Sequence, residues 1–280
     1  MSGRLRAIAG ETERIVAEGG YTTPSGHEVR LAEHIERAIG GTRLHEPAHT
    51  VASRRGPAPA EDRDTRFEVT GESSLEAARR LVGEGDGADG AVAVLNFASA
   101  RNPGGGYLNG AQAQEEALCR ASALYACLRA APEFYAAHRA DPSPFYSDRV
   151  IHSPGVPVFR DDRGALLDAW YEVGFLTSAA PNAGVVAQRG MDTSRLPGAL
   201  ASRAGRVLEV AVAHGYRHLV LGAWGCGVFR NDPAAVAEAF RAHLVAPGRF
   251  AGRFERVVFA VLDRRADSPT RAAFADVFGR

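Results

Sequence analysis

An apolar run, a glycine-rich turn and a pair of glutamates follow one another in the first half of the chain. The run is Ala-Val-Ala-Val-Leu-Asn-Phe (91–97), and the turn is Asn-Pro-Gly-Gly-Gly-Tyr-Leu-Asn-Gly (102–110). Glu115 and Glu116 then lie in helix-like sequence at 112–128. In α/β proteins, a strand, a glycine turn and a helix present backbone N–H groups to a phosphate. Because two carboxylates stand beside that turn, the segment indicates cleavage of a phosphorylated sugar.

A second glycine-rich turn occurs late in the chain. Leu-Gly-Ala-Trp-Gly-Cys-Gly-Val-Phe-Arg (221–230) follows an apolar strand and precedes a helix, with Asn231 or Asp232 as N-cap and Pro233 in its first turn. One such turn is a weak signal, but two at the carboxyl ends of strands indicate a ligand site. Neither turn has the dinucleotide-binding or Walker pattern, which disfavours NAD dehydrogenases and NTPases.

The glutamate pair has two interpretations. Asn109 and Gln112 have capping-box spacing, so the helix is predicted to begin at Gly110, with both glutamates in its second turn and about 100° apart. Two solvated acids near a helix N-terminus would be ordinary. The mostly apolar neighbours from 113 to 125 favour acids that are at least partly enclosed. Enclosure and mutual repulsion would raise a glutamate pKa, as a general acid requires.

Composition excludes several classes of function. Every one of the 33 basic residues is Arg, so a catalytic Lys, a Schiff base and a Lys-type P-loop are excluded. The 33 acidic residues bring the net charge to zero, which argues against tracking a nucleic-acid backbone, and no direct DNA binding is expected. A polyanion could still bind at one local site.

The cysteines and histidines show no metal-binding or disulfide pattern. Cys119, Cys127 and Cys226 are an odd number without a framework, as in a reducing compartment. His214 and His218 are four residues apart but lack an HExxH core, so no metal is expected. With no apolar signal core and no membrane-spanning run, the sequence predicts a cytoplasmic protein without membrane association.

Strand and helix patterns alternate along most of the chain. Predicted strands are 67–70, 91–97, 149–153, 171–178, 218–223 and 255–262. Predicted helices are 4–20, 27–40, 74–83 capped by Ser73 or Ser74, 112–128, 198–214, 232–246 and 269–278. Residues 46–64 are expected to be a surface connection, and residues 84–90 a tight turn. The pattern predicts an α/β fold whose central sheet is covered on both faces, with an N-terminal helical extension at 1–60 and one domain at 61–280.

At this point the motifs resemble a known family. Gly104-Gly105-Gly106 followed after seven residues by Gln114-Glu115-Glu116 resembles the signature of poly(ADP-ribose) glycohydrolases. The wider match resembles the bacterial-type branch, with motifs at 95–99, 102–106, 179–184 and 221–229. The resemblance covers nearly the whole chain from about residue 67. It implies a macrodomain-like, three-layer α/β/α fold around a mixed sheet, and hydrolysis of ribose–ribose O-glycosidic bonds in poly(ADP-ribose) to release ADP-ribose.

The resemblance also implies roles for individual residues. Glu116 is expected to be the catalytic acid, while Glu115 holds hydroxyls of the cleaved ribose. The two glycine turns would wrap the diphosphate, and the junction near 70–74 would lie by the adenine. The expected substrate-binding residues are Asn102, Gly105, Gly106, Gln114, Gly225, Cys226, Gly227, Val228 and Phe229, with Phe229 against the distal ribose. No cofactor and no metal are required.

Several alternatives stay open at the level of sequence. A non-catalytic macrodomain that binds ADP-ribose would need the glycine turns but not the acid pair. A hydrolase of mono-ADP-ribosyl or O-acetyl-ADP-ribose esters would not depend on a glutamate here. A Cys226 nucleophile is disfavoured, since the sequence shows no partner for it. Trp224 and Tyr107 are more typical of packing groups than of ligand contacts, Asn182 of a turn former and His152 of a strand end. Cleavage at chain ends is favoured mildly by the neutral charge, and the stereochemical outcome is not predicted.

Overall fold

The computed structural model describes residues 2–47, 64–84, 92–263, 265 and 267–279. Its strands are β1 (Gly20–Thr22), β2 (Glu28–Arg30), β3 (Arg43–His45), β4 (Arg66–Thr70), β5 (Val92–Phe97), β6 (Val150–Arg160), β7 (Leu166–Ser178), β8 (His218–Leu221) and β9 (Arg256–Ala260). Its helices are α1 (Gly3–Glu18), α2 (Ala32–Gly41), α3 (Ser74–Glu84), α4 (Gln114–Ala121), α5 (Leu124–Arg129), α6 (Pro132–Ala140), α7 (Ala183–Gln188), α8 (Leu196–Ala213), α9 (Pro233–Leu244) and α10 (Pro269–Phe278).

Seven of these strands form one mixed sheet in the order β3-β6-β7-β5-β8-β9-β4. The five strands β7, β5, β8, β9 and β4 run parallel to one another. Strand β6 is antiparallel to both β7 and β3. Alternate residues of β5 enter two separate cores: Val94 packs with α3 to α5, and Leu95 with α8 and α9. The predicted three-layer α/β/α arrangement with a mixed central sheet is therefore confirmed.

The capping chemistry explains several helix boundaries. Ser73 and Glu76 form a reciprocal capping box at the start of α3, because each side chain accepts the other residue's backbone N–H. Asp232 caps α9 by accepting from the Ala235 N–H, with Pro233 as the first helical residue. Both N-termini agree with the sequence prediction.

The predicted helix at 27–40 is wrong in its first turn. Residues 28–30 are β2, which pairs with β1 so that Val29 lies opposite Tyr21, and the helix begins only at Ala32. Gly26 has φ +88° in the connecting turn, a conformation that glycine adopts without strain. The helical periodicity assigned residues 28–30 to α2, but their pairing in the β1–β2 hairpin makes them a strand.

The segment before residue 47 is not only helical, since β3 hydrogen-bonds to β6 at the edge of the central sheet. The division at residue 60 lies outside the described residues, as do most of the predicted surface connection at 46–64 and of the turn at 84–90, and these stay predictions. Within the described part of the chain, no helix combines the length and apolar character needed to cross a lipid bilayer.

Candidate active site

The glutamate pair lies in the first turn of α4, at the carboxyl end of β5. The predicted helix start at Gly110 is wrong: residues 107–109 form a 3-10 turn, Gly110 ends it with φ +76°, and α4 begins at Gln114. A Cβ on Gly110 would lie 2.6 Å from the Ser2 carbonyl oxygen, so packing against the start of α1 determines this turn. The acids are therefore one turn closer to the helix N-terminus than predicted.

The predicted helix at 112–128 is also interrupted. Ser122 has extended backbone (φ −147°, ψ 175°) and forms an isolated bridge with Val158 of β6. Its hydroxyl donates to the Leu118 carbonyl, which closes α4 before α5 begins. The bridge to β6 supplies this interruption, and no glycine or proline marks it in the sequence.

Gln114 attaches the start of α4 to the end of β5. Its Nε2 donates to the Leu95 carbonyl (2.8 Å), and its Oε1 accepts from the Phe97 N–H (2.9 Å). The side-chain amide thus donates to and accepts from the backbone of β5, as the backbone of a neighbouring strand would. These contacts position the helix; the substrate-binding role of Gln114 stays a prediction.

Glu115 is buried, with 3% of its surface exposed. Its Oε1 accepts from Asn96 Nδ2 (3.2 Å) and its Oε2 from the Ser99 N–H (2.7 Å). Burial raises the pKa of Glu115 to about 8, although these donors oppose the shift. Asn96 also donates to the Thr177 hydroxyl (3.1 Å). Sequence reasoning did not name Asn96 or Ser99 as site residues; a polar side chain inside an apolar strand was the available signal.

Glu116 is 7% exposed, so the predicted enclosure of both acids is confirmed. Its Oε1 accepts from the Gly106 N–H at 2.8 Å, while its Oε2 is buried and forms no hydrogen bond with any described residue. Gly105 lies against both acids: a Cβ there would be 2.5 Å from Glu116 Oε1 and 3.2 Å from Glu115 Oε2. Only glycine fits this position, since its φ is also +56°.

The second glycine turn offers backbone donors. Among the described residues, no protein acceptor takes the N–H groups of Gly225, Gly227, Val228 or Phe229. Val228 is 81% exposed, and the Phe229 ring lies 5.9 Å from that of Tyr146. Consecutive unpaired N–H groups make an anion-binding concavity.

Other candidate residues have structural contacts. Trp224 is buried and donates to the Ser178 carbonyl (3.0 Å), which confirms the packing interpretation. Asn182 accepts from the Val185 N–H and caps α7. Burial raises the pKa of the Cys226 thiol to about 12, so the thiolate needed for a nucleophile is disfavoured. Asn102 is exposed, and its carbonyl accepts from the Gly105 N–H (3.0 Å).

Helix α1 supports the first glycine turn from outside. The buried Tyr107 hydroxyl lies 3.2 Å from the Ala9 carbonyl and 3.0 Å from Glu13 Oε1. Burial raises the pKa of Glu13, and the Tyr107 hydrogen bond opposes that shift. The N-terminal helix therefore contributes a polar anchor to the turn that carries Gly105 and Gly106.

Removing this anchor tests its importance. We expect Tyr107→Phe to lower the free energy of unfolding by about 1–2 kcal/mol, because the variant loses a buried hydroxyl that donates to one of two nearby acceptors. Differential scanning calorimetry should show a lower Tm. Tyr125→Phe is the matched control, since its ring packs 5.1 Å from Tyr107 but its hydroxyl bonds no described residue. Equal Tm values for the two variants would contradict the anchor.

The raised pKa of Glu115 predicts a pH-dependent stability. Because its folded pKa of about 8 exceeds the ordinary 4.5, the folded chain keeps this proton while the unfolded chain releases it. Its contribution to stability is therefore lost as pH rises from 4.5 to about 8. Glu115→Gln cannot ionise, so its Tm relative to that of wild type should rise by about 4 °C or more between pH 4.5 and pH 9.

Thermal unfolding across this pH range provides the measurement. Glu238→Gln is the control, because Glu238 is an exposed surface residue 3.7 Å from Arg241. A constant difference between Glu115→Gln and wild type at every pH would contradict a buried carboxyl that titrates.

Known proteins resemble this chain in sequence and in fold. The family model described as microbial-type PARG, catalytic domain, matches residues 9–161. A search of curated proteins returned no significant match.

Solved structures resemble nearly the whole chain. The poly(ADP-ribose) glycohydrolase (PARG) of Thermomonospora curvata is 51% identical, with a TM-score of 0.90, and the match covers 99% of this chain and 100% of that one. The same enzyme bound to the inhibitor ADP-HPD is 52% identical, with a TM-score of 0.89 and coverage of 98% and 99%. The Deinococcus radiodurans enzyme in complex with ADP-ribose is 48% identical, with a TM-score of 0.78 and coverage of 89% and 98%. The chain therefore belongs to the microbial-type poly(ADP-ribose) glycohydrolases, glycosidases that hydrolyse poly(ADP-ribose).

Proposed function

We propose that this chain removes terminal ADP-ribose units from poly(ADP-ribose), with Glu116 as both general acid and general base. One observation carries the proposal: Glu116 is buried, its Oε1 is held by the Gly106 N–H, and its Oε2 has no partner among the described residues. A carboxyl held by one oxygen keeps the other for substrate. Binding of ADP-ribose is supported by the D. radiodurans complex and by the inhibitor complex of the T. curvata enzyme.

The hydrogen bonds support different roles for the two acids. Both oxygens of Glu115 accept from protein donors, Asn96 and Ser99, so this carboxyl is held rigidly. Its raised pKa alone would also suit a general acid. We favour Glu116 as the proton donor, because one of its oxygens is uncommitted, and Glu115 as the group that orients ribose hydroxyls. A protonated Glu115 can donate to one hydroxyl and accept from another.

The reaction then follows glycosidase chemistry. Protonated Glu116 gives its proton to the departing ribose oxygen while the anomeric carbon develops oxocarbenium character. The carboxylate that results takes a proton from the incoming water, so the same group acts in both directions. Adjacent positions on one helix turn do not determine whether configuration is retained or inverted.

The second glycine turn is the better candidate for binding the diphosphate. Its four uncommitted N–H groups, at Gly225, Gly227, Val228 and Phe229, can donate to phosphate oxygens. In the first turn, the Gly105 N–H donates to Asn102 and the Gly106 N–H to Glu116. We propose that the first turn lets the diphosphate approach the acids closely, while the second supplies donors. The fixed negative charge would then favour the developing cation.

Roles at the edge of the site remain proposals. Asn102 is exposed beside the first turn, where it can reach a ribose hydroxyl, and Phe229 can pack on the distal ribose. Cys226 is proposed to contribute to substrate binding through its position between two glycines, and its thiol has no role in this proposal. The junction at 70–74, at the end of β4, is the proposed neighbour of the adenine.

We also propose a cytoplasmic location and the macrodomain designation for the fold. The three free cysteines support a reducing compartment. The mixed seven-stranded sheet covered by helices on both faces supports the designation. The proposed chemistry uses no metal or cofactor, and zero net charge supports the expectation of no direct DNA binding.

Labelled poly(ADP-ribose) tests the substrate and the site of cleavage together. We expect free ADP-ribose as the first product while long chains shorten gradually. Intermediate oligomers appearing before ADP-ribose would instead show internal cleavage. Parallel incubations with mono-ADP-ribosylated protein and O-acetyl-ADP-ribose test the alternative hydrolase. Turnover of either ester, with none of the polymer, would overturn the proposal.

A further inference from the structure

Three histidines from separate elements meet at the β3 edge of the sheet. His45 ends β3, His152 is the third residue of β6, and His214 follows the last residue of α8. One imidazole nitrogen from each lies within 4.8 Å of the other two. The glycosidase site uses none of these residues.

This histidine cluster lies on the opposite face of the sheet from the acids. His152 pairs with Leu176, which packs in the core beneath α8 and α9. Asn96, the partner of Glu115, pairs with Thr177 on β7, and Ile151 is opposite Thr177 as well. Since successive residues of a strand point to opposite faces, His152 points away from the acids. The cluster can therefore be altered without touching the proposed catalytic groups.

One pair of imidazole nitrogens has the spacing of a metal site. His45 Nε2 and His214 Nε2 are 3.2 Å apart. Two nitrogens that bind zinc at about 2.0–2.1 Å in tetrahedral geometry are separated by about 3.3 Å. The His152 ring stacks on His214 with centroids 3.7 Å apart and an interplanar angle of 24°, so the ring of His152 must tilt for its ligand nitrogen to face the same ion.

A hydrogen bond also orients His152. The Tyr216 hydroxyl lies 2.7 Å from His152 Nε2. Metal-binding histidines usually bond an outer partner through one ring nitrogen, which sets the ring orientation and leaves the other nitrogen for the ion. Tyr216, two residues after His214, provides such a partner.

The nearby charges do not prevent cation binding. Arg206 and Glu209 both act electrostatically on His45, and they pair with each other at 2.7 Å. Arg206 also donates to the Glu46 carbonyl. The guanidinium charge is thus partly compensated by an adjacent carboxylate.

We propose that His45, His152 and His214 bind one divalent transition-metal ion of the zinc class, which links the edge strand β3 to the end of α8. Three imidazoles are ligands that zinc, copper and nickel accept, and they leave a fourth tetrahedral position for water. The site is separate from poly(ADP-ribose) hydrolysis. His45 and His152 are separated by 106 residues in the sequence (152 − 45 − 1). No short ligand spacing therefore indicates the metal site.

Zinc binding to the untagged, chelator-treated full-length chain tests the proposal. Equilibrium dialysis should give one zinc per chain, and cobalt in its place should give the visible spectrum of a four-coordinate ion. Zinc should raise the Tm of the wild-type chain by about 4 °C or more at saturation. A folded wild-type chain that binds no zinc at micromolar concentrations would overturn the proposal.

Variants identify the ligands. His45→Ala and His214→Ala should each weaken zinc binding about 100-fold or more and abolish the zinc-dependent rise in Tm. Exposed His27→Ala and Cys226→Ser are controls that should bind zinc like the wild type. Poly(ADP-ribose) turnover should be unchanged in both His45→Ala and His214→Ala. His214→Gln, checked by circular dichroism, separates ligand loss from misfolding. Equal zinc binding by His214→Gln and wild type would refute the assignment.

Discussion

Glu116→Gln should lower kcat for poly(ADP-ribose) hydrolysis by about 10²–10⁴-fold while ADP-ribose still binds. Glutamine keeps the shape of the side chain and can still accept from the Gly106 N–H, a bond of 2.8 Å in the native chain. It cannot give a proton to a departing oxygen or take one from water. Initial rates on labelled polymer measure the first effect, and calorimetric titration with ADP-ribose the second.

Glu115→Gln provides the comparison for this result. If Glu115 orients ribose hydroxyls, its amide variant should raise KM as well as lower kcat, because the interaction exists before the transition state. A larger loss of kcat in Glu115→Gln than in Glu116→Gln would reverse the two assignments. Comparable turnover by wild type and Glu116→Gln would eliminate Glu116 as the acid.

Gly105→Ala should reduce kcat/KM by about 10²-fold or more, since displacement of catalytic groups by about 1 Å has effects of that size. A Cβ at residue 105 would lie 2.5 Å from Glu116 Oε1, so the glutamate or the turn must move. The residue also has φ +56°, where a non-glycine residue is strained by about 1–2 kcal/mol. A lower Tm is therefore expected together with the lower rate.

Gly198→Ala is the matched control for this substitution. Gly198 lies in the first turn of α8, and a Cβ there would meet no atom within 4 Å. Alanine favours helix, so activity should be unchanged and stability equal or slightly higher. Wild-type kinetics for Gly105→Ala would show that the close approach of this turn to the acids is not required.

The sequence predicted the layer arrangement because its signals are local. The apolar run at 91–97 and the capped helix after Asp232 depend on neighbours a few residues away, and both occur as predicted. The pattern failed where a distant segment intervenes. Pairing of β1 with β2 removed the first turn of α2, and the bridge between Ser122 and Val158 divided the helix that follows the acids.

The site divides in the same way. Local motifs were enough to name the residues that are proposed to carry the chemistry, since the three glycines, the acid pair and the second turn follow one another along the chain. Only the tertiary structure decided how the acids are held, since Asn96 and Ser99 bond Glu115 while Glu116 keeps one oxygen without a described partner. It likewise decided that His45 and His152 meet. Residue types follow from covalent sequence, whereas burial and hydrogen-bond partners depend on segments that approach only when the sheet assembles.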